Sequence, residues 1–166
     1  TICEPRSEAF LEMEISDLLQ IEAILSDIKA SGKKQILQEL SQRASELTQI
    51  EEGLIFSTLL EREKLGTTGI GQGVAIPHGK VSQLEHPYGF FAKLIDPVDF
   101  DAIDDEPVDL IFLLLAPENA SAEHLKILAK VSRLLRDQKL CNKLRGSVGR
   151  DAIYSILTES LSTYAA

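Results

Sequence analysis

The stretch Val108-Asp109-Leu110-Ile111-Phe112-Leu113-Leu114-Leu115, closed off by Pro107 and Pro117, most restricts how this chain can fold. A run that is apolar at nearly every position has no wet face, so as a strand it lies inside a sheet with layers packed on both sides. Its length alone also allows a buried helix, but the flanking prolines favour the strand. Helices must then supply the covering layers. From Lys33 to Ile50, Ile36, Leu37, Leu40, Ala44 and Leu47 recur at helical spacing between Gln, Glu and Arg. A second helix is expected from about Leu54 to Lys64, with Ile55, Leu59 and Arg62 on one stripe and Gly66 to stop it. Tyr88 to Ile95 reads as another strand. In the last third Ser121 is the expected N-cap of a helix carrying Leu125, Leu128, Val131 and Leu135. Asp137 starts a short helix ending at Gly146, and Asp151 to Leu161 supplies the last. The expectation is an α/β fold, a single layered domain with its sheet covered by helices.

At 166 residues, with no internal repeat and no linker, one domain is the simplest count, placed at residues 13–166. Residues 1–12 precede the only methionine, Met13, and read as a leader or an appended remnant. The stretch up to about residue 30 is given no role. A net charge of −9 without a dense Lys/Arg patch argues against nucleic acid and anionic membranes as partners and leaves room for a basic protein. No apolar run approaches the roughly 18–20 residues that span a bilayer, and the first residues lack a signal-peptide pattern, so no membrane insertion is expected. Cys3 and Cys141 stand far apart, outside any C-x-x-C or zinc spacing, which fits a reduced, cytoplasmic chain with no metal. The acidic series Asp96, Asp99, Asp101, Asp104, Asp105, Glu106 lacks the glycine and terminal glutamate of an EF-hand and reads as a solvated loop. Lys126, Lys130 and Arg133 read as the solvent side of their helix.

The chemistry concentrates around Gly66-Thr67-Thr68-Gly69-Ile70-Gly71-Gln72-Gly73, too glycine-rich for a helix, and the short apolar run Val74-Ala75-Ile76 that Pro77-His78-Gly79 interrupts. At a strand end between Pro and Gly, His78 is held at a surface with little bulk beside it. Neutral imidazole is a competent nucleophile near neutral pH, and the backbone N–H groups of the glycine loop (Thr67, Thr68, Gly69, Gly71, Gly73) are candidates to hold phosphate oxygens without a metal. A histidine beside Pro and Gly is as often a turn residue, so the local pattern leaves both readings open. Two other glycine motifs fail. Gly73 and Gly79 are one residue too far apart for a Walker loop, with Val81 at the hydroxyl position, and Gly69, Gly71, Gly73 lack the third glycine of a dinucleotide fingerprint.

Leu60-Glu61-Arg62-Glu63-Lys64-Leu65-Gly66-Thr67-Thr68-Gly69-Ile70-Gly71, followed by Val74-Ala75-Ile76-Pro77-His78-Gly79-Lys80, resembles the active-site signature of the fructose/mannitol-type enzyme IIA domains of the bacterial phosphotransferase system. The similarity continues through Phe100-Asp101-Ala102-Ile103-Asp104 and Pro107 to Phe112 to the helix start Ala122-Glu123-His124-Leu125, and is greatest to the nitrogen-regulatory branch. The resemblance implies a mixed sheet flanked by helices, His78 phosphorylated at Nε2 as the acceptor, a histidine-containing phosphocarrier protein as donor, His124 as a second, assisting histidine, and Arg62 as a phosphate-stabilising arginine; it implies no cofactor. Beside it stand plainer readings: His124 packing near Leu128 or capping its helix, and Arg62 offsetting a helix C-terminus. If Ser121 is the N-cap, His124 falls in the first turn, where the helix dipole disfavours imidazolium. His86, between Glu85 and Pro87, reads as a turn residue.

Three outputs compete: a phosphocarrier with nitrogen-branch regulatory output through cytosolic target proteins, a sugar-specific enzyme IIA that passes phosphate to an enzyme IIB, and a non-catalytic protein-binding domain. Joint retention of Arg62, His78 and His124 speaks against the last. The chain stopping at Ala166 without a linker, a IIB-like cysteine motif or a membrane segment favours the first.

Overall fold

β6 (Val108–Ala116) takes the central position its apolar run demands: every residue but Asp109 is buried, and strands pair along both of its edges. The structure, a computed structural model, describes residues 18–165; the leader reading of residues 1–12 falls outside them. Along the chain come β1 (Leu19–Ile28), α1 (Lys33–Thr48), α2 (Glu52–Lys64), β2 (Gly69–Gly71), β3 (Val74–Ala75), β4 (His78–Lys80), β5 (Tyr88–Val98), β6, α3 (Ser121–Leu135), α4 (Gln138–Gly146) and α5 (Arg150–Ala165). The sheet order is β1-β5-β6-β3-β2, with β4 also on β6. β5 runs antiparallel to β6, β3 and β4 run parallel to it, β1 is parallel to β5, and β2 is antiparallel to β3. The sheet is therefore mixed.

The first two helices bury the stripes their spacing defines, but the helix from Ser121 is turned from the expected stripe: it buries His124, Ile127, Val131, Leu134 and Leu135 and leaves Leu125 exposed. α1 buries Ile36, Leu37, Leu40 and Ala44 and packs on α2, β1 and β5, while α2 buries Ile55 and Leu59 and reaches β4. α3, α4 and α5 contact one another, with α3 on β6 and α5 on β1. Side chains from both groups join one apolar core with the four fully buried phenylalanines Phe90, Phe91, Phe100 and Phe112. Asp137 caps α4 as expected, its Oδ1 accepting from Lys139 N at 3.0 Å.

β1 is the longest element that the sequence did not announce; the short β2 and β4 were not expected as strands either. The register of β1 against β5 slips between Leu19 and Ile24 and again between Leu25 and Ile28, and Asp27 has φ of 56°, so the two-residue alternation of a strand is broken. As an edge strand it has two carbonyls held by side chains: Arg43 Nη1 donates to Glu22 O at 2.8 Å and Arg150 Nε to Ile24 O at 3.1 Å.

The glycine-rich segment is a hairpin. Gln72 and Gly73, between β2 and β3, both have positive φ (58° and 81°), as a primed two-residue turn requires. The acidic loop closes over it: Asp104 Oδ2 accepts from Gln72 N at 2.8 Å and Oδ1 from Glu106 N at 3.1 Å, bonds that lower the Asp104 pKa.

Candidate functional site

His78 stands where the sheet is interrupted. Pro77, without an N–H, separates β3 from β4, and the chain resumes pairing on the same edge in unchanged register, with Leu114 N donating to Pro77 O at 3.0 Å and His78 opposite Leu114. Gly79 lets α2 come close: a Cβ there would lie 2.8 Å from Thr58 Cγ2. That approach brings the last turn of α2, and Arg62 with it, over the imidazole.

Both ring nitrogens of His78 are engaged. Nδ1 is 2.9 Å from Ile76 O, and Nε2 is 3.2 Å from Arg62 Nε. A guanidinium N–H can only donate and a carbonyl can only accept, so the proton belongs on Nδ1 and the lone pair on Nε2. Burial lowers the His78 pKa, and the Arg62 charge works in the same direction, while the Ile76 carbonyl and the Glu63 carboxylate oppose them. The result at neutral pH is an uncharged ring with its nucleophilic nitrogen turned toward a cation. Arg62 serves its own helix end as well, with Nη1 donating to Gly66 O at 2.9 Å, so the two readings of this residue coexist in one side chain.

His124 arrives from the other side. β6 ends at Ala116 and α3 starts at Ser121, so the first turn of α3 is delivered beside β4, and the His124 and His78 ring centroids lie 5.6 Å apart. His124 is only 4% exposed. Burial pushes its pKa down to about 4, with His78, once protonated, and Lys80 acting in the same direction. Its Nδ1 is buried and makes no hydrogen bond among the described residues. Ser121 does not cap the helix as expected. Ala120 is the N-cap, and the Ser121 hydroxyl, already inside the first turn, accepts from Lys80 Nζ at 2.6 Å.

Arg62, His78 and His124 thus line one open cleft of about 470 Å³, with Lys80, Thr58, Glu61, Leu65, Gly79, Leu125 and Leu128. Lys80 and the apolar rim were not assigned roles from sequence. Leu65 (85% exposed), just past the helix stop, and Leu125 (64%), beside His124, are apolar residues that the core leaves outside, and nothing in the local spacing sets them apart from core positions.

The glycine-loop residues Thr67, Thr68, Gly69, Gly71 and Gly73, read as phosphate-loop candidates, do not line this cleft. Gly69 packs against Ala102, where a Cβ would come within 2.9 Å, and Gly71 faces Asp104. Gly73 lies under the Arg145–Asp109 pair, 2.6 Å from Arg145 Nη2 to a hypothetical Cβ. The Thr67 hydroxyl donates to Phe100 O at 2.7 Å and the Thr68 hydroxyl to Glu63. Their glycines answer to close packing of neighbouring loops. His86 also lies elsewhere, stacked on Tyr88 at 4.5 Å. Among the described residues no group of three or more His, Cys, Asp or Glu side chains is gathered that could hold a metal ion.

A neutral imidazole with a fixed lone pair, an adjacent guanidinium, a second neutral imidazole and an ammonium make a cleft suited to an anionic electrophile. The class of protein follows from fold and sequence together: residues 17–160 match the family model "Phosphoenolpyruvate-dependent sugar phosphotransferase system, EIIA 2", and the chain belongs to that family. Among its relatives, the nitrogen regulatory protein of Bradyrhizobium diazoefficiens is 56% identical over 92% of this chain and all of that one. The crystal structure of nitrogen regulatory protein IIA-Ntr from Neisseria meningitidis superposes with a TM-score of 0.82 at 36% identity, covering 86% of this chain and 98% of the other. The fold is shared more distantly with mannitol enzyme IIA of Escherichia coli in its complex with phosphorylated enzyme IIB, at a TM-score of 0.73 and 21% identity over 86% and 99% of the two chains. Among the described residues no helix is long and apolar enough to cross a membrane.

Proposed function

We propose that this chain is a cytoplasmic phosphocarrier whose His78 Nε2 takes a phosphoryl group from a histidine-containing phosphocarrier protein, and whose output is regulatory. The observation that carries it is the paired engagement of His78: Nδ1–H on Ile76 O leaves the Nε2 lone pair free to attack, beside Arg62 Nε. In the transfer, that lone pair forms a bond to phosphorus as the donor's nitrogen–phosphorus bond breaks and its electron pair returns to the donor imidazole. The positive charge gained by the His78 ring is shared through Nδ1–H with Ile76 O. Arg62, released from Nε2, turns its N–H groups to the phosphoryl oxygens, and its charge stabilises the transition state. His124, neutral and lacking a partner at Nδ1, is an assisting group beside the phosphoryl position.

The regulatory output is supported by the 56% identity to a protein named for nitrogen regulation. The sugar-transport alternative, with an enzyme IIB as acceptor, has its support in a fructose-specific enzyme IIA component of Haloferax volcanii, 31% identical over 88% of this chain. Phosphorylation adds about −1.5 to −2 charges at neutral pH, enough to alter the affinity of a target docked over the cleft. The test is to incubate the protein with phosphoenolpyruvate, enzyme I and each candidate carrier, and to look for acid-labile, base-stable phosphate on His78. Both forms are then offered to cytosolic extract. Capture of targets that differ between the two forms is expected; rapid transfer to an enzyme IIB and on to sugar would replace the regulatory reading.

A further inference from the structure

Directly after Arg62 comes a buried carboxylate that the transfer chemistry does not use. The Glu63 side chain is 4% exposed, and its Oε2 lies 2.6 Å from Lys33 Nζ at the start of α1. It also accepts from Thr68 N at 3.3 Å and from the Thr68 hydroxyl. A carboxylate so far from water is costly unless every lone pair is answered, and here the answering groups all belong to α1 and to the turn at residues 65–68.

That turn addresses both sides of the His78 ring. On one side, Thr68 O accepts from Ile76 N at 2.9 Å, and Ile76 O in turn takes the His78 Nδ1 proton. On the other, Gly66 N donates to Glu63 O at 3.1 Å, and Gly66 O accepts the Arg62 Nη1 proton while Arg62 Nε points at His78 Nε2. The carbonyl that holds the proton on Nδ1 and the guanidinium that faces the lone pair on Nε2 are therefore carried by one turn, and Glu63 pins that turn through Thr68. A carboxylate serving only to balance Lys33 would have no need of Thr68.

We infer that Glu63 and Thr68 form a clamp that sets the tautomer of His78, which makes both of them positioning residues for phosphoryl transfer; the inference rests on His78 being the acceptor. With the clamp loosened, Ile76 O no longer secures Nδ1–H, the tautomer protonated at Nε2 becomes accessible, and in that form the attacking nitrogen has no lone pair. The loss is of the fraction of molecules competent to react and of the alignment of Arg62, effects that multiply.

The test uses the full chain, with the ring nitrogens of His78 read by nitrogen-15 NMR at pH 8 without phosphate and the initial rate of labelling by the phosphorylated carrier read separately. Wild type is expected to show a protonated Nδ1 and a bare Nε2. Thr68→Val, which keeps shape and loses the hydroxyl, is expected to move His78 to a mixture of tautomers and to slow labelling about tenfold. Thr68→Ser restores both. Glu63→Gln, which keeps an acceptor for the hydroxyl and loses the charge on Lys33, is expected to give a smaller change of the same kind and carries the test if Thr68→Val does not fold. Native ring-nitrogen shifts in the folded variants overturn the clamp, whether stability or rate has changed or not. Because the tautomer is read without phosphate, a wild type that shows the expected tautomer but is never labelled at His78 sinks the acceptor reading separately.

Discussion

β6 has an arginine near each of its ends, and the two are used in opposite ways. Near its start, Arg145 grips the carboxylate of Asp109 with Nε and Nη2 at 2.9 and 3.0 Å and adds Gln72 O at 2.9 Å. Five residues further, about 17 Å along a strand, Arg62 stands over the partner of Leu114 and gives its hydrogen bonds to an imidazole nitrogen and a carbonyl, both uncharged. The first guanidinium has had its charge neutralised, and the bond to Asp109 raises its pKa further. Among the described residues no carboxylate is paired with the second. A charge held by neutral acceptors remains available to an arriving anion. The contrast separates an arginine that ties strands and helices together from one that waits for a ligand.

The largest effect belongs to the residue that defines the reactive end. His78→Ala is expected to abolish phosphoryl labelling while the circular-dichroism spectrum and melting transition stay close to wild type, because β4 is short and the side chain only half-buried. Labelling of this variant at normal stoichiometry would remove the central assignment.

Exchanging the two arginines' roles is the sharper test. Arg62→Ala should slow transfer about 100-fold or more, as loss of one charge-assisted contact to a transition state does, with stability changed by about 1 kcal/mol. Arg145→Ala should do the reverse, costing about 2–3 kcal/mol in denaturant unfolding through the lost bidentate pair, with transfer nearly unchanged. Equal rate losses in both variants would erase the distinction.

A smaller effect is expected at the close approach between α2 and β4. Gly79→Ala places a methyl 2.8 Å from Thr58 Cγ2, and the overpacking should cost about 1–3 kcal/mol and slow transfer as Arg62 is pushed off His78. Thr58→Ser in the same chain removes the opposing methyl and should recover most of both losses.

The last expected effect is a slope. The His124 pKa of about 4 lies below the ordinary value of about 6.5, so between these pH values the unfolded chain binds a proton that the native chain refuses. Stability contributed by the neutral ring is complete above pH 6.5 and is lost as pH falls toward 4. His78 acts in the same direction. Unfolding free energies of His124→Gln measured across this window should fall less steeply with acid than those of wild type; an unchanged slope would mean that the buried ring does not resist protonation.

Much of this was legible in the sequence where a local rule and the tertiary context agree. Val108–Ala116 is a central strand because nothing polar enough to face water occurs in it except Asp109, and Asp109 turned out to have its own cation. The spacing of α1 and the Asp137 cap carried over in the same way. Arg62, His78 and His124 could be named, but their meeting could not be derived from spacing, since it depends on α2 closing over Gly79 and on the short β6–α3 connection. β1 escaped because bulges scramble its alternation. The glycine hairpin was ambiguous for a physical reason: a lack of side chains is equally what an anion-binding loop and a tightly covered turn require, and the sequence does not place Ala102, Asp104 and Arg145 against it.

The guanidinium groups on Glu22 O and Ile24 O bear on how the molecule behaves in a crowded solution. An edge strand with free acceptors is a template on which another chain can lengthen the sheet, the first step toward aggregates. On β1 an incoming strand would have to displace Arg43 and Arg150 from those carbonyls, and the bends at its register slips offer it no straight ladder to extend. The irregularity that hid β1 in the sequence thus also makes this edge a poor template for a further strand.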